Sequence, residues 1–474
     1  MGEKNCGKEL KDKLLFKRKN AWTEFNENEK NIAFEMCEGY KAFLDKAKTE
    51  REFTNEAELL AIAHGFKSFD EIVKSKMKIT DGMKLYQANR GKSVILCVVG
   101  KEPLENGINI LGAHIDSPRL DLKQNPVYED NEIVFLKTHY YGGIKKYQWV
   151  TIPLALHGVV IKTDGTVVNV KLGEDDNDMV FTITDLLPHI AVDQMKKNMS
   201  EAITGEDLNI IFGSIPFDDE IDERVKLNVL QLLNAKYGIT EEDFTSAELE
   251  IVPAFKARDV GFDRSMVGAY GQDDRVCAYT SLKAILDVDN TDKTALCILI
   301  DKEEIGSVGN TSAQSAFLEG FISNLLILSG EGKDELIKSQ CLLNSRMLSA
   351  DVNAAVDPNY GDVQDKKNAV YIGKGIAIQK YTGSMGKLGA NDSNPEFVAE
   401  FRKILNENRI PWQAGEFGKV DLGGGSTIAK FAANLGIDVI DCGVPVLSMH
   451  SPFEITSKID IYATYNAYKS FLLY

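Results

Sequence analysis

Thr294-Ala295-Leu296-Cys297-Ile298-Leu299-Ile300 runs straight into Asp301-Lys302-Glu303-Glu304-Ile305-Gly306-Ser307. The first half is almost wholly apolar, the pattern of a strand buried on both faces of a sheet. Its end is abruptly acidic. Carboxylates crowded at the end of a buried strand lose hydration and repel one another, at a cost of roughly several kcal/mol per charge unless something compensates. A bound cation is the usual compensation, because carboxylates suit hard and borderline metals. A lone Glu-Glu pair is more often a solvated acidic turn, so the reading depends on what other segments bring.

Working outward, the same texture recurs. Residues 347–351 and 437–442 read as further strands, and residues 274–286, 396–405, 426–435 and 462–473 as helices. On the other side, 93–99 and 108–113 are strands, and residues 1–90 are mainly helical. Ile32, Met36, Tyr40, Phe43 and Leu44 share the spacing of one helix face, and residues 55–60 look like a second helix start. Residues 444–449 read as a turn leading to His450. Alternating strands and helices predict an α/β fold with a mainly parallel sheet flanked by helices, built from residues 1–119 and 251–474. Residues 120–250 differ. Asp164-Gly165 between β-branched runs is a strong hairpin signal, and residues 225–237 form an amphipathic helix closed by Gly238. This block is expected to be an inserted, β-rich domain. Its acidic run, residues 174–178, reads as a solvated loop.

Composition narrows the partners. Lys plus Arg number 54 against 71 Asp plus Glu, a net charge of −17, which speaks against nucleic acid or an anionic membrane as the main partner. No apolar run approaches the ~20 residues that span a bilayer, and Met1-Gly2-Glu3-Lys4-Asn5-Cys6 carries no secretory h-region. The 7 cysteines are widely spaced without a Cys-x-x-Cys, and Cys97, Cys297 and Cys442 lie inside apolar runs. A reducing compartment, the cytoplasm, is the expectation.

Several places put a metal-capable side chain just past a buried strand or strand-turn: His114 with Asp116, the pair Glu303-Glu304, Asp351, and His450. Asp273-Asp274 opens a helix after the turn Gly268-Ala269-Tyr270-Gly271-Gln272. Singly each has an ordinary explanation, such as a core histidine or a helix N-cap. In a parallel sheet, however, ligands gather beyond the carboxyl ends of the strands. Two histidines with three or four carboxylates is also the donor set of a two-zinc site.

At this point the chain resembles the aspartyl aminopeptidases, a branch of the co-catalytic zinc aminopeptidases. The matching stretches are Gly112-Ala113-His114-Ile115-Asp116-Ser117-Pro118-Arg119, Gly271-Gln272-Asp273-Asp274-Arg275, Asp301-Lys302-Glu303-Glu304-Ile305-Gly306-Ser307, Ser349-Ala350-Asp351 and Ser448-Met449-His450-Ser451. They occur in the family's order from about residue 90 to 455. The resemblance implies two zinc ions per subunit, with cobalt or manganese as alternatives for one. His114 and Asp351 would hold one ion, Glu304 and His450 the other, and Asp273 would bridge them. It implies that Asp116 hydrogen-bonds the far nitrogen of His114, and that Glu303 is the general base drawing a proton from a bridging water.

The resemblance also makes the inserted block a dimerisation domain, with dimers assembling into a tetrahedral dodecamer and His189 reaching a neighbouring subunit's active site. From spacing alone, His189 could equally be a core histidine. The substrates implied are short peptides cut at the N-terminus, with Asp or Glu preferred. A broad or neutral-residue aminopeptidase and a catalytically silent scaffold are the alternatives. Lys380 and Lys387, flanking a Gly-rich turn, are candidates for an acidic pocket, though each is more simply a surface lysine. Gly424, in Gly423-Gly424-Gly425-Ser426-Thr427, is a candidate for backbone contact with substrate. His139 has no assigned role, and His64 and His157 read as structural.

Overall fold

The structure, a computed structural model, describes residues 6–175, 177–332 and 334–474. Residues 1–5 and Asp176, part of the acidic run, lie outside it, and so does the Cys6 side chain. The strand Thr294–Ile300 is buried at every position because both of its faces meet core. Ala295, Cys297 and Leu299 point into one apolar cluster, Leu296, Ile298 and Ile300 into another. That is why its sequence lacks alternation.

Among the described residues it belongs to a nine-stranded sheet. It pairs in parallel with Ile108–His114, which pairs in parallel with Arg346–Ser349, which pairs in parallel with Asp438–Gly443. The shoulders are antiparallel: Ser93–Val98 lies beside Thr294–Ile300, and Ile376–Gln379 beside Asp438–Gly443. The fold is therefore α/β with a parallel centre. Helices Gln272–Leu286 and Lys458–Leu472 contribute to the core on one face, and Phe317–Ser329 and Glu335–Asn344 to that on the other.

Between Arg119 and Pro253 the described residues build a second, six-stranded sheet, antiparallel throughout. It has an apolar cluster of its own, to which helix Arg224–Tyr237 adds Val225, Val229 and Leu233. Gly238 ends that helix at φ 66°, a conformation that suits glycine.

A third sheet was not anticipated. It joins Arg258–Val260, Met266–Ala269, Glu454–Ser457, Pro445–Leu447 and Asn353–Ala354. These strands are too short for periodicity to register, and residues 445–447, read as a turn, form one of them. Other boundaries also move. The helix containing residues 55–60 starts earlier, at Glu50–Ala63, because Thr49 and Glu52 form a capping box. In helix Glu27–Lys46 the buried residues are Ala33, Cys37, Tyr40, Phe43 and Leu44, while Ile32 is exposed. The helix expected over 426–435 is only Ala429–Asn434.

The acidic run is not simply a solvated loop. Glu174 is clamped by Lys48 at 2.7 Å, Lys256 at 2.9 Å and His157 at 3.0 Å. His157 also meets Glu52 at 3.0 Å, so this imidazole pins the inserted sheet to helix Glu50–Ala63. Burial disfavours its protonation, but Glu174 and Glu52 outweigh burial and raise its pKa. A raised folded-state pKa gives stabilisation that is full below the unfolded histidine range, about 6.5, and is lost as pH rises through the folded value. The gap in melting temperature between wild type and His157→Gln should accordingly be wide near about pH 6 and narrow as pH rises through the raised folded value. A constant gap across thermal melts would contradict it. His64 is exposed, and its Nδ1 donates to the Leu60 carbonyl at 2.8 Å.

Candidate metal centre

The parallel strands deliver the site. His114 is the last residue of Ile108–His114, and Asp351 lies two residues beyond Arg346–Ser349. Thr294–Ile300 ends in a tight turn, with Lys302 at φ 70° and Gly306 at φ 97°, that folds Glu303 and Glu304 back over the strand end. Asp273 opens helix Gln272–Leu286, its peptide bond to Asp274 being cis. His450 stands between two strands of the third sheet at φ 64°.

The geometry centres on Asp273. Its Oδ1 is 3.2 Å from His114 Nε2, and its Oδ2 is 3.2 Å from His450 Nε2. Asp351 lies 4.0 Å from His114 Nε2, and Glu304 3.6 Å from His450 Nε2. Donor atoms of His114, Asp273 and Asp351 all fall within 4.8 Å of one another, as do those of Asp273, Glu304 and His450. Asp274 faces elsewhere, accepting from the His114 backbone N–H at 3.3 Å.

Supporting contacts fix these side chains. His114 Nδ1 donates to the Asp116 backbone carbonyl at 3.1 Å, closer than the Asp116 carboxylate at 3.4 Å. That carboxylate instead accepts from the backbone N–H groups of Glu303 and Glu304, at 3.1 and 3.2 Å, and from Tyr141 Oη at 2.8 Å. His450 Nδ1 donates to the Gly143 carbonyl at 2.8 Å, leaving Nε2 for the cluster. Glu454, 1 % exposed, accepts from the backbone N–H of His450 at 2.8 Å and of Asp273 at 3.0 Å. One buried carboxylate thus orients residues from two distant segments.

The electrostatics call for cations. Burial pushes the Glu304 and Asp351 carboxyls well above the usual range, with Asp273 adding repulsion. Burial also lifts Asp273, but the two imidazoles reverse that and leave it below the ordinary range. His450 is driven the other way, to about 11: burial opposes its charge, and Asp273 and Glu304 overcome burial. Burial raises Glu303 to about 7. Glu304 Oε1 is buried without a hydrogen-bond partner. Two imidazole nitrogens and three carboxylates around an unmatched buried oxygen fit zinc by donor type. By contrast, a third acidic group, Glu50, Glu248 and Glu250, already has Lys92 and Arg119 as counter-charges.

The remaining sequence candidates lie apart. Lys380 and Lys387 pair with Asp392, at 3.9 and 3.2 Å, and among the described residues neither has an ion pair or hydrogen bond with the five donors. Lys387 lines a cavity of about 240 Å³ with Tyr381 and Gly423, the neighbour of Gly424. Gly424 itself packs on the Gly383 backbone, its φ of 127° and that close approach leaving no room for a Cβ. His189 is exposed, so it is not a core histidine. His139 is exposed too, its Nδ1 donating to the Tyr140 carbonyl at 2.8 Å. Sequence reasoning missed Glu454, Tyr141 and Gly143. The run Tyr140-Tyr141-Gly142-Gly143 beside His139 was the signal for the latter two. For Glu454 the signal was an acid four residues past His450.

Imidazoles and acids gathered beyond parallel strand ends, around a shared carboxylate, define a metal-dependent hydrolase. The family model described as "Aminopeptidase I zinc metalloprotease (M18)" matches residues 43–472. A probable M18 family aminopeptidase 1 of Clostridium acetobutylicum is 55 % identical, covering 97 % of this chain and 99 % of its own. The crystal structure of an M18 family aminopeptidase from Thermotoga maritima superposes with a TM-score of 0.92 at 48 % identity, covering 97 % and 99 % of the two chains. Aminopeptidase I from Clostridium acetobutylicum gives 0.91 at 52 %, covering 97 % and 100 %. The chain belongs to the M18 family of zinc metalloproteases and is a zinc-dependent aminopeptidase. No helix among its described residues is long and apolar enough to cross a membrane.

Proposed function

We propose that this aminopeptidase removes acidic residues, Asp or Glu, from the N-termini of short peptides, using two zinc ions per subunit. His114 and Asp351 would hold one ion, His450 and Glu304 the other, and Asp273 both. The observation that carries this reading is the placing of the two Asp273 oxygens, each 3.2 Å from a different imidazole. When bound, the zinc pair supplies positive charge that polarises the scissile carbonyl and makes water acidic enough to lose a proton near neutrality. Glu303 accepts that proton and returns it to the leaving amine. Asp116 holds the Glu303-Glu304 turn through both backbone N–H groups, and the Nδ1 bonds of the two imidazoles keep each Nε2 facing inward.

A second reading, broad or neutral-residue preference, is favoured by one observation: Lys380 and Lys387 are both engaged with Asp392. Hydrolysis of Asp-, Glu- and Leu-chromogenic amides, with zinc content measured alongside, decides between them. The acidic preference predicts faster cleavage of Asp and Glu than Leu, and activity lost to a chelator and restored by zinc. Faster Leu cleavage rejects the preference and leaves the peptidase standing.

We further propose that the block from about residue 120 to 250 is an oligomerisation domain, in dimers that build a tetrahedral dodecamer, with His189 reaching a neighbour's site. Its support is an exposed apolar stretch around His189: Leu186, Leu187 and Ile190 are each at least half exposed. Among the described side chains six thiols are buried and unpaired, which favours a reducing, cytoplasmic setting.

A further inference from the structure

The Glu303-Glu304 turn is tied down by one buried carboxylate. Asp116, 0 % exposed, accepts from the Glu303 N–H through Oδ1 at 3.1 Å and from the Glu304 N–H through Oδ2 at 3.2 Å. Two backbone donors alone leave that carboxylate a competing choice, because His114 Nδ1 lies 3.4 Å from Oδ1. A third donor settles it. Tyr141, the last residue of strand Ile133–Tyr141 in the six-stranded sheet, donates its hydroxyl to Oδ2 at 2.8 Å. Burial, and after it the Asp116 charge, push the Tyr141 phenol far above its ordinary range, so the proton it donates stays on its oxygen.

The Tyr141 ring is itself held in place. Arg119 stands directly opposite it across the strand pair, with the guanidinium 3.9 Å from the ring centroid, the contact a planar cation makes with an aromatic face. Arg119 is 4 % exposed and is gripped in turn by Asp121 at 2.8 Å, Glu250 at 3.2 Å and Glu50 at 3.4 Å. Acids from two strands and from helix Glu50–Ala63 thus fix the guanidinium, and the guanidinium fixes the ring.

We propose that Tyr141 is a positioning residue for the hydrolysis: its hydroxyl locks the Asp116 carboxylate onto the Glu303-Glu304 turn and so keeps Glu303 in place beside the donor cluster. The inference rests on the general-base role proposed for Glu303. Tyr141 touches neither the reacting atoms nor the zinc donors in this scheme; it acts through Asp116.

Tyr141→Phe is the test. Phenylalanine keeps the ring on Arg119, and Asp116 keeps both backbone donors, so no buried polar group is left without a partner and the fold should hold. Zinc content should match wild type and the melting temperature should stay within about 3 °C. With a chromogenic amide, kcat should fall about ten-fold while KM stays within about two-fold, because a displaced base costs rate and not binding. The decisive measurement adds Tyr141→Phe to Glu303→Gln: with the base already gone, the second change should lower kcat by less than about two-fold. Three results overturn the proposal: kcat of Tyr141→Phe within about two-fold of wild type, a full ten-fold further loss in the Glu303→Gln background, or lost zinc. The first of these with Glu303→Gln inactive leaves the base reading standing. Wild-type kcat in Glu303→Gln alone removes the base, and the role of Tyr141 with it.

Discussion

Glu303→Gln is expected to keep its zinc and lose its catalysis. Glutamine preserves the size of the side chain and leaves intact the backbone N–H that Asp116 accepts at 3.1 Å, so the turn holding Glu304 should persist. What disappears is the carboxylate proposed to carry the proton from water to the leaving amine. Loss of a general acid–base group costs about 10²–10⁴-fold in rate, and the fall should appear in kcat with little change in KM. Metal analysis and steady-state kinetics on one preparation make the test. A variant within about ten-fold of wild-type kcat would remove Glu303 from proton transfer.

Asp273→Ala should act on the metal instead. Among the described residues no other side chain places one oxygen near each imidazole, and without it His114 and His450 belong to separate half-sites. Zinc content is expected to fall below one ion per subunit after dialysis, with hydrolysis reduced by at least about 10³-fold. Asp274, although adjacent, offers no substitute because it is turned to the His114 backbone N–H. Its own replacement by Asn should spare more zinc than Asp273→Ala does. Full zinc content in the Asp273 variant would remove Asp273 from the proposed zinc ligands.

The parts of the fold legible in the sequence were those where one physical demand dominated. Thr294–Ile300 could be read because a strand with core on both faces must be apolar throughout. The hairpin at Asp164-Gly165 could be read because its tight turn puts Gly165 at φ 85°. The gathering of acids and imidazoles at strand ends was legible for a related reason: acids next to such a run are costly unless something compensates them. Illegible were features resting on contacts between distant segments. The strand Pro445–Leu447 is only three residues long, and its identity comes from pairing with Asn353–Ala354 and Glu454–Ser457. Glu454 looked like any acid, because nothing local says that it accepts from both His450 and Asp273. Glu174 was misjudged for the same reason, its partners Lys48, His157 and Lys256 lying far from it in the chain. Ile32 was misplaced because helical spacing alone leaves the rotation of the buried face uncertain by one residue.

Tyr141 ends a strand of the six-stranded sheet, yet its hydroxyl bonds to Asp116, and the next two residues touch Glu304 and His450. The second sheet is thus built into the donor cluster instead of hanging from it as an ornament. Grafting a different sheet onto this catalytic core would have to reproduce that Tyr-Gly-Gly corner, or the transplant would arrive with its donor residues misaligned.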